Sequence, residues 1–261
     1  MKDLIEIKTD TEIEIIKQSA KIASDVLKIL RKNVVPGIST KKLDNLANEL
    51  IRNYNAEPAF LGYNGFPATI CTSINNELVH GIPSDNKILK NGDIITIDLG
   101  VKYKGYYGDI AETIPVGKIN QNIERLLKVT YNCFNVALKY CYENNRIGDI
   151  AYNIQTYVEK NGFSVIRKYV GHGIGRQLHE KPEVPNFGKP NVGPLLMSGM
   201  VLAIEPMVAE GSYDVTLLDD NWTVVTMDNK LCAHYEHMIL ITKDGPVVLT
   251  ELETKFDDEK L

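Results

Sequence analysis

Two aspartates eleven residues apart, Asp98 and Asp109, frame the chemistry this sequence offers. Asp98 lies near the end of Asp93-Ile94-Ile95-Thr96-Ile97-Asp98-Leu99-Gly100, a β-branched, almost wholly apolar run of the kind expected in a strand buried on both faces. A Lys/Tyr/Gly turn follows, and Tyr106 to Thr113 reads as the returning strand, so a hairpin brings the two acids together. Two buried carboxylates cannot both stay ionised unless a cation sits between them. The pair alone is equally compatible with one protonated acid, or with both at the wet end of the hairpin.

Three further polar islands interrupt apolar stretches. Gly171-His172-Gly173-Ile174-Gly175-Arg176-Gln177-Leu178-His179 places two imidazoles on a segment whose glycines allow close backbone approach. Val201 to Val208 reads as a strand with Glu205 in its middle, and Pro206 within it implies a bulge, an edge or the end of regular pairing. His234 to Ile241 is a strand carrying Glu236, with Trp222 to Thr226 expected as its antiparallel neighbour. Singly, a strand Glu is usually a solvated edge residue and a His between glycines a turn residue. Together, Asp98, Asp109, Glu205, Glu236 and His172 carry four negative charges, which two divalent cations would neutralise. Carboxylate-rich ligation with one nitrogen suits Mn, Fe or Co, allows Zn, and argues against a closed structural zinc site. Two such ions about 3.5 Å apart would hold a bridging water and lower its pKa towards neutrality.

The elements that must position these groups follow from periodicity. Residues 10 to 33 carry an apolar stripe at Ile16, Ala20, Ala23, Leu27 and Leu30, which predicts a helix with one broad buried face. Val35-Pro36-Gly37 stops it, and Ser39 or Thr40 caps a second helix with the face Leu43, Leu46, Ala47 and Leu50. A Gly- and aromatic-rich loop from Phe60 to Pro67 leads into a strand near Thr69 to Ile74, and His80 precedes Gly81 in irregular backbone. After the hairpin the order returns. A long helix with Ile123, Leu127, Phe134, Ala137 and Cys141 on one face meets a breaker around Asn145 to Gly148. A shorter helix with Ile150, Ile154 and Val158 ends at Gly162, and a strand starts at Phe163. This repetition predicts one α+β domain spanning 1–261, built from related halves at about 10–115 and 120–250, with helices outside a curved, mostly antiparallel sheet. The cleft where such halves meet is the natural place for a shared site.

Composition narrows the function class. The chain of 261 residues, 44% hydrophobic, can bury a full core, and no apolar run approaches the ~18 residues that span a bilayer. The amino terminus alternates charged with apolar residues, unlike a signal peptide. A net charge of −5 without a Lys/Arg block gives no electrostatic case for stable nucleic-acid binding. Cys71, Cys133, Cys141 and Cys232 are scattered and read as reduced thiols of a cytoplasmic protein. The acidic end at 256–261 reads as a frayed tail.

Asp98 and its spacing to Asp109, Gly171-His172-Gly173-Ile174-Gly175, Ile204-Glu205-Pro206 and Tyr235-Glu236-His237 together resemble the five-ligand signature of the methionine aminopeptidases, of the creatinase or "pita-bread" fold. The resemblance runs over nearly the whole chain and is to the short type I form: no Cys/His-rich extension precedes residue 10, and only thirty residues separate Glu205 from Glu236, too few for the helical insert of type II. It implies removal of the first residue of a peptide by metal-assisted hydrolysis, with two divalent ions of unspecified identity. Asp98, Asp109, His172, Glu205 and Glu236 would be the ligands, Asp109 and Glu236 bridging, and Glu205 also the general base. His179 would hydrogen-bond the scissile carbonyl as its oxygen gains charge, and His80 would contact the peptide nitrogen.

The same resemblance puts the methionine pocket at Phe60, Tyr63, Phe66, Cys71, Leu178 and Trp222, which composition alone would read as ordinary core. Many relatives have Cys where Phe60 stands and Phe where Leu178 stands, two changes that can trade volume across the pocket. A monovalent cation held near Asn75 in some members is not assumed, because Cys232 occupies the place of a ligating Ser. Expected partners are peptides and nascent polypeptides with N-terminal Met, with transient ribosome contact, no membrane and a monomeric state. The alternatives are a proline-specific peptidase of the same fold and a non-catalytic pita-bread protein. Relatives of the first kind usually carry a large extra amino-terminal domain, and those of the second lose metal ligands.

Overall fold

The computed structural model describes residues 4–250; the acidic end at 256–261 lies outside them. Helix α1, Asp10–Asn33, starts at a capping box in which the Thr9 hydroxyl accepts from the Glu12 amide and the Glu12 carboxylate takes the Thr9 amide at 2.9 Å. Its buried face contains the expected stripe from Ile16 to Leu30. Helix α2, Thr40–Asn53, is capped by Ser39 and turns its face slightly from the expected one: Leu43, Asp44, Ala47 and Ile51 are buried, while Leu46 and Leu50 are only partly covered. Helix α3, Gln121–Leu138, is capped by Asn120 and stops short of Cys141, which is buried in the turn beyond it. Helix α4, Ile147–Lys160, follows, and the strand expected from Phe163 begins at Ser164. Helix, break and shorter helix thus occur twice. No helix among the described residues is long and apolar enough to cross a membrane.

The main sheet runs through Ile94–Tyr103, Tyr106–Pro115, Cys232–Thr242, Val201–Ile204, Gly171–Gly173 and Glu180–Val184, and every pairing among the described residues is antiparallel. Alternation along these strands separates two faces. Ile95, Ile97, Leu99, Val101, Ile110 and Ile114 pack under α1 and α2 in one core cluster. Tyr235, Ile239, Ile241, Leu202 and Ile204 pack under α3 and α4 in another. Residues of opposite parity, including Asp98, Asp109 and Glu236, therefore face away from the helices. A third apolar cluster on that inner side, with Phe60, Phe66, Cys71, Leu178 and Met238, joins the two sets.

Two strand expectations are revised. Val201 to Val208 is not continuous: it breaks at Glu205-Pro206 into Val201–Ile204 and Met207–Ala209, both on the same edge of Cys232–Thr242. Trp222 to Thr226 does not pair with the Glu236 strand. Val224–Thr226 pairs instead with Val215–Leu217 and Glu77–Val79 in a small separate sheet. The reason is occupancy: Cys232–Thr242 has both edges taken, by Tyr106–Pro115 and Gly245–Val248 on one side and by Met207–Ala209 and Val201–Ile204 on the other.

Candidate metal centre and active site

On the inner face of the sheet lies a cavity of about 250 Å³. Asp98, Asp109, His172, Glu205, Glu236, His80, His179, Phe60, Tyr63, Phe66, Cys71, Leu178 and Trp222 all line it, so the expected ligand, catalytic and pocket residues border one space, while Asn75 and Cys232 do not line it. Asp98 and Asp109 are diagonal rather than opposed: Asp98 pairs with Ala111 and Asp109 with Gly100, which leaves both carboxylates on one face two residues out of step. Glu236 joins them from the next strand, opposite Ala111. Glu205 follows the end of Val201–Ile204, where regular pairing has stopped at Pro206. His172 lies on a short strand between Glu180–Val184 and Val201–Ile204, seated so closely that a Cβ at Gly173 would lie 2.3 Å from the Lys181 carbonyl oxygen.

The electrostatics are those of a cation site. Burial pushes Asp98 up to about 7, and burial followed by mutual repulsion pushes Asp109, Glu205 and Glu236 well above the carboxylate range. Oδ1 of Asp98, Oδ1 of Asp109 and Oε1 of Glu236 are buried without a hydrogen-bond partner among the described residues. One ligand atom from each of Asp109, His172 and Glu236 falls within 4.8 Å of the others. Inward-facing carboxylate oxygens with no protein donor fit divalent cations by charge and by ligand chemistry. The imidazole fits as well. His172 Nδ1 donates to the Gly173 carbonyl at 3.0 Å, and burial holds the ring neutral, with its pKa pushed down to about 3. Its Nε2 therefore presents a lone pair, 3.5 Å from Oε1 of Glu205.

His179 stands at the exposed rim, its ring edge-on to that of His172 at 4.4 Å. Its Nδ1 lies 2.8 Å from the Tyr63 hydroxyl. Burial raises the Tyr63 pKa, so the hydroxyl keeps its proton and can either donate to a bare Nδ1 or accept from Nδ1–H. His80, partly buried and held neutral with a pKa near 4 by burial and by His179, sits edge-on to Trp222. Phe66 meets Trp222 edge-on at 5.1 Å, so the cavity has an apolar aromatic end beside a carboxylate end. Asn75 offers its carbonyl to the amide of Cys232 at 3.0 Å and to its thiol at 3.5 Å.

Sequence reasoning missed His234, Tyr169, Asn64, Val79 and Val170, which also line the cavity. His234 had a usable signal: it stands two residues before Glu236 and so shares its face. Its Nε2 is 3.6 Å from Oε2 of Glu205. Tyr169, which packs edge-on against His80, sits in irregular chain where no periodicity points to it.

The sequence profile of metallopeptidase family M24 matches residues 14–243. The chain belongs to metallopeptidase family M24. It is 50% identical over 250 residues to a methionine aminopeptidase of Clostridium acetobutylicum, covering 96% of this chain and 100% of the relative. It is 51% identical over 245 residues to methionine aminopeptidase 1 of Bacillus subtilis, covering 94% and 98%. The crystal structure of a methionine aminopeptidase from Thermotoga maritima superposes with a TM-score of 0.94 at 44% identity, covering 95% of this chain and all of that one. The pita-bread architecture expected from the sequence is therefore the observed one.

Proposed function

We propose that this M24 chain removes the N-terminal methionine from peptides and nascent proteins by hydrolysis of the first peptide bond, preferring a small second residue. The observation that carries the reading is the cavity itself: four carboxylates and one neutral imidazole converge at one end, and an aromatic, apolar end of side-chain size lies beside them. Asp98, Asp109, His172, Glu205 and Glu236 would hold two divalent ions, drawn from Mn, Fe, Co or Zn. When bound, these ions polarise the scissile carbonyl and make a water acidic enough to supply hydroxide near neutral pH.

The chain's own residues do the rest. Phe60, Tyr63, Phe66, Cys71, Leu178 and Trp222 enclose the methionine side chain and exclude water. Glu205 accepts the proton lost by the attacking water and passes it towards the leaving amine. His179, with Nδ1 taken by Tyr63, carries its proton on Nε2 and donates it as a hydrogen bond to the carbonyl oxygen as negative charge builds there. His80, neutral through burial, contacts the peptide nitrogen. Residues 1–261 act as one catalytic unit, since Asp98 comes from the first helix–helix–strand series and His172 from the second. The setting is the cytoplasm, with a monomeric enzyme in transient contact with ribosomes.

The deciding assay measures release of Met from Met-Ala-Ser, with Pro-terminated peptides as the control, while metal content is followed in parallel. Asp98→Ala and Glu236→Ala are expected to lose both activity and metal while keeping their far-UV circular dichroism. Undiminished hydrolysis in metal-stripped buffer, or preference for the Pro-terminated peptides, would overturn the reading.

A further inference from the structure

His179 is exposed at the rim of the cavity, where its ring meets the Tyr63 ring and hydroxyl and the ring of His172. The segment that carries it is held from both sides by the start of the chain. Lys8 is a lysine with its side chain only 2% exposed, and it reaches the carboxylate of Glu180, the residue after His179. The other Glu180 oxygen accepts the Gln177 amide at 2.9 Å, which closes a loop around Leu178 and His179. Glu6 adds a second carboxylate to the Lys8 ammonium at 3.0 Å. The Lys8 stem crosses directly over Gly175, where a Cβ would lie 2.4 Å from the lysine Cε, so a side chain there would have to push the lysine aside. On the near side Arg176 binds Glu12 at 2.9 Å and stacks over Tyr106, whose hydroxyl donates to the same carboxylate at 3.0 Å.

We infer that Lys8 is a positioning residue for His179: its buried bond to Glu180, with the Arg176–Glu12 pair, ties the His179 segment to the first helix and holds the imidazole where the substrate carbonyl must lie. The inference rests on the catalytic role given to His179 above. A buried ion pair is a poor source of net stability, because the desolvation of both charges offsets their attraction. Its better-attested product is a single fixed geometry, and here that geometry belongs to residues 176–180. A displacement of about 1 Å in a positioned group costs on the order of a hundredfold in rate, so partial release of the loop should be visible in turnover.

The test is a double-mutant cycle read with Met-Ala-Ser. Lys8→Met is expected to lower kcat about tenfold, with KM and metal content within about twofold of the parent. In a His179→Ala background the same change is expected to have no further effect on the residual turnover. Glu180→Gln keeps the side-chain size and should reproduce both results; it carries the test if Lys8→Met fails to unfold cooperatively. An equal fold-loss in the two backgrounds would mean that Lys8 supports the structure generally, and an unchanged kcat in the parent background would also overturn the inference. Imidazole 15N signals give a reading independent of kinetics: Lys8→Met should move those of His179 and leave those of His237 in place, and unmoved His179 signals would refute the clamp. Should His179→Ala alone leave kcat intact, the catalytic role of His179 falls, and the clamp is then judged on the imidazole signals.

Discussion

The Tyr63 hydroxyl lies 2.8 Å from Nδ1 of His179. A neutral imidazole has one donor and one acceptor nitrogen, so the sense of this bond decides whether Nε2 is left as a donor or as an acceptor. Tyr63→Phe removes that choice while keeping the aromatic wall. A single hydrogen bond is worth about 0.5–1.5 kcal/mol, so kcat for Met-Ala-Ser is expected to fall roughly two- to twelvefold with KM little changed. Steady-state kinetics checks the split; a rise in KM at constant kcat would show that Tyr63 contributes only pocket surface.

His80 occupies left-handed backbone at φ 60°, where a residue with a side chain is strained. What holds it is Gly81, whose carbonyl accepts the Thr72 amide at 2.8 Å and whose own amide donates to Ser73 Oγ at 3.2 Å. A Cβ at Gly81 would lie 2.2 Å from the Thr72 carbonyl oxygen, which is immovable within its strand. Gly81→Ala is expected to push the 80–81 segment off that strand and lower kcat/KM by about a hundredfold. Activity within twofold of the parent would contradict this account.

Asp44, buried on α2, accepts the amides of Thr69 at 2.8 Å and Ile70 at 3.1 Å with one oxygen and Lys41 at 2.7 Å with the other. It thereby pins the approach to the strand carrying Cys71. Asp44→Ala leaves two buried amides without acceptors, at about 1–3 kcal/mol each, so a loss of roughly 2–6 kcal/mol is expected from urea unfolding. Asp44→Asn, which retains an acceptor oxygen, should lose less.

Glu12 makes stability depend on pH. The Thr9 amide and hydroxyl, then Tyr106 and Arg176, hold its carboxyl at about 2, below its ordinary 4.5. A carboxylate with a depressed folded-state pKa contributes stability in full above its unfolded value, and that contribution is lost as pH falls towards the folded value. The difference in unfolding free energy between the parent and Glu12→Gln should be constant above about pH 5 and shrink as pH falls from 4.5 to 2. Denaturant titrations across that range provide the check, and a gap that does not vary with pH would remove Glu12 from the account.

The helices were legible because each buries one face: the stripe from Ile16 to Leu30 and the capping residues Thr9, Ser39 and Asn120 are local features, set by 3.6-residue periodicity and unpaired amides at helix starts. The acids were legible for a related reason. A carboxylate in a β-branched run is out of place locally, and strand alternation already assigns Asp98, Asp109 and Glu236 to faces. The pairing of Trp222 to Thr226 was not legible, because which edges of Cys232–Thr242 remain open depends on strands up to more than a hundred residues away.

By itself, the amino-acid order singled out most of the side chains that line the cavity and set the helices and most strands, since both follow from side-chain type and short-range spacing. Only the tertiary structure decided that Asp98 and Asp109 sit diagonally, that Glu205 stands where a broken strand releases it, and that Lys8 reaches Glu180. Those outcomes depend on strand register and on contacts between distant parts of the chain, where the burial of many side chains at once, and no local pattern, selects the arrangement.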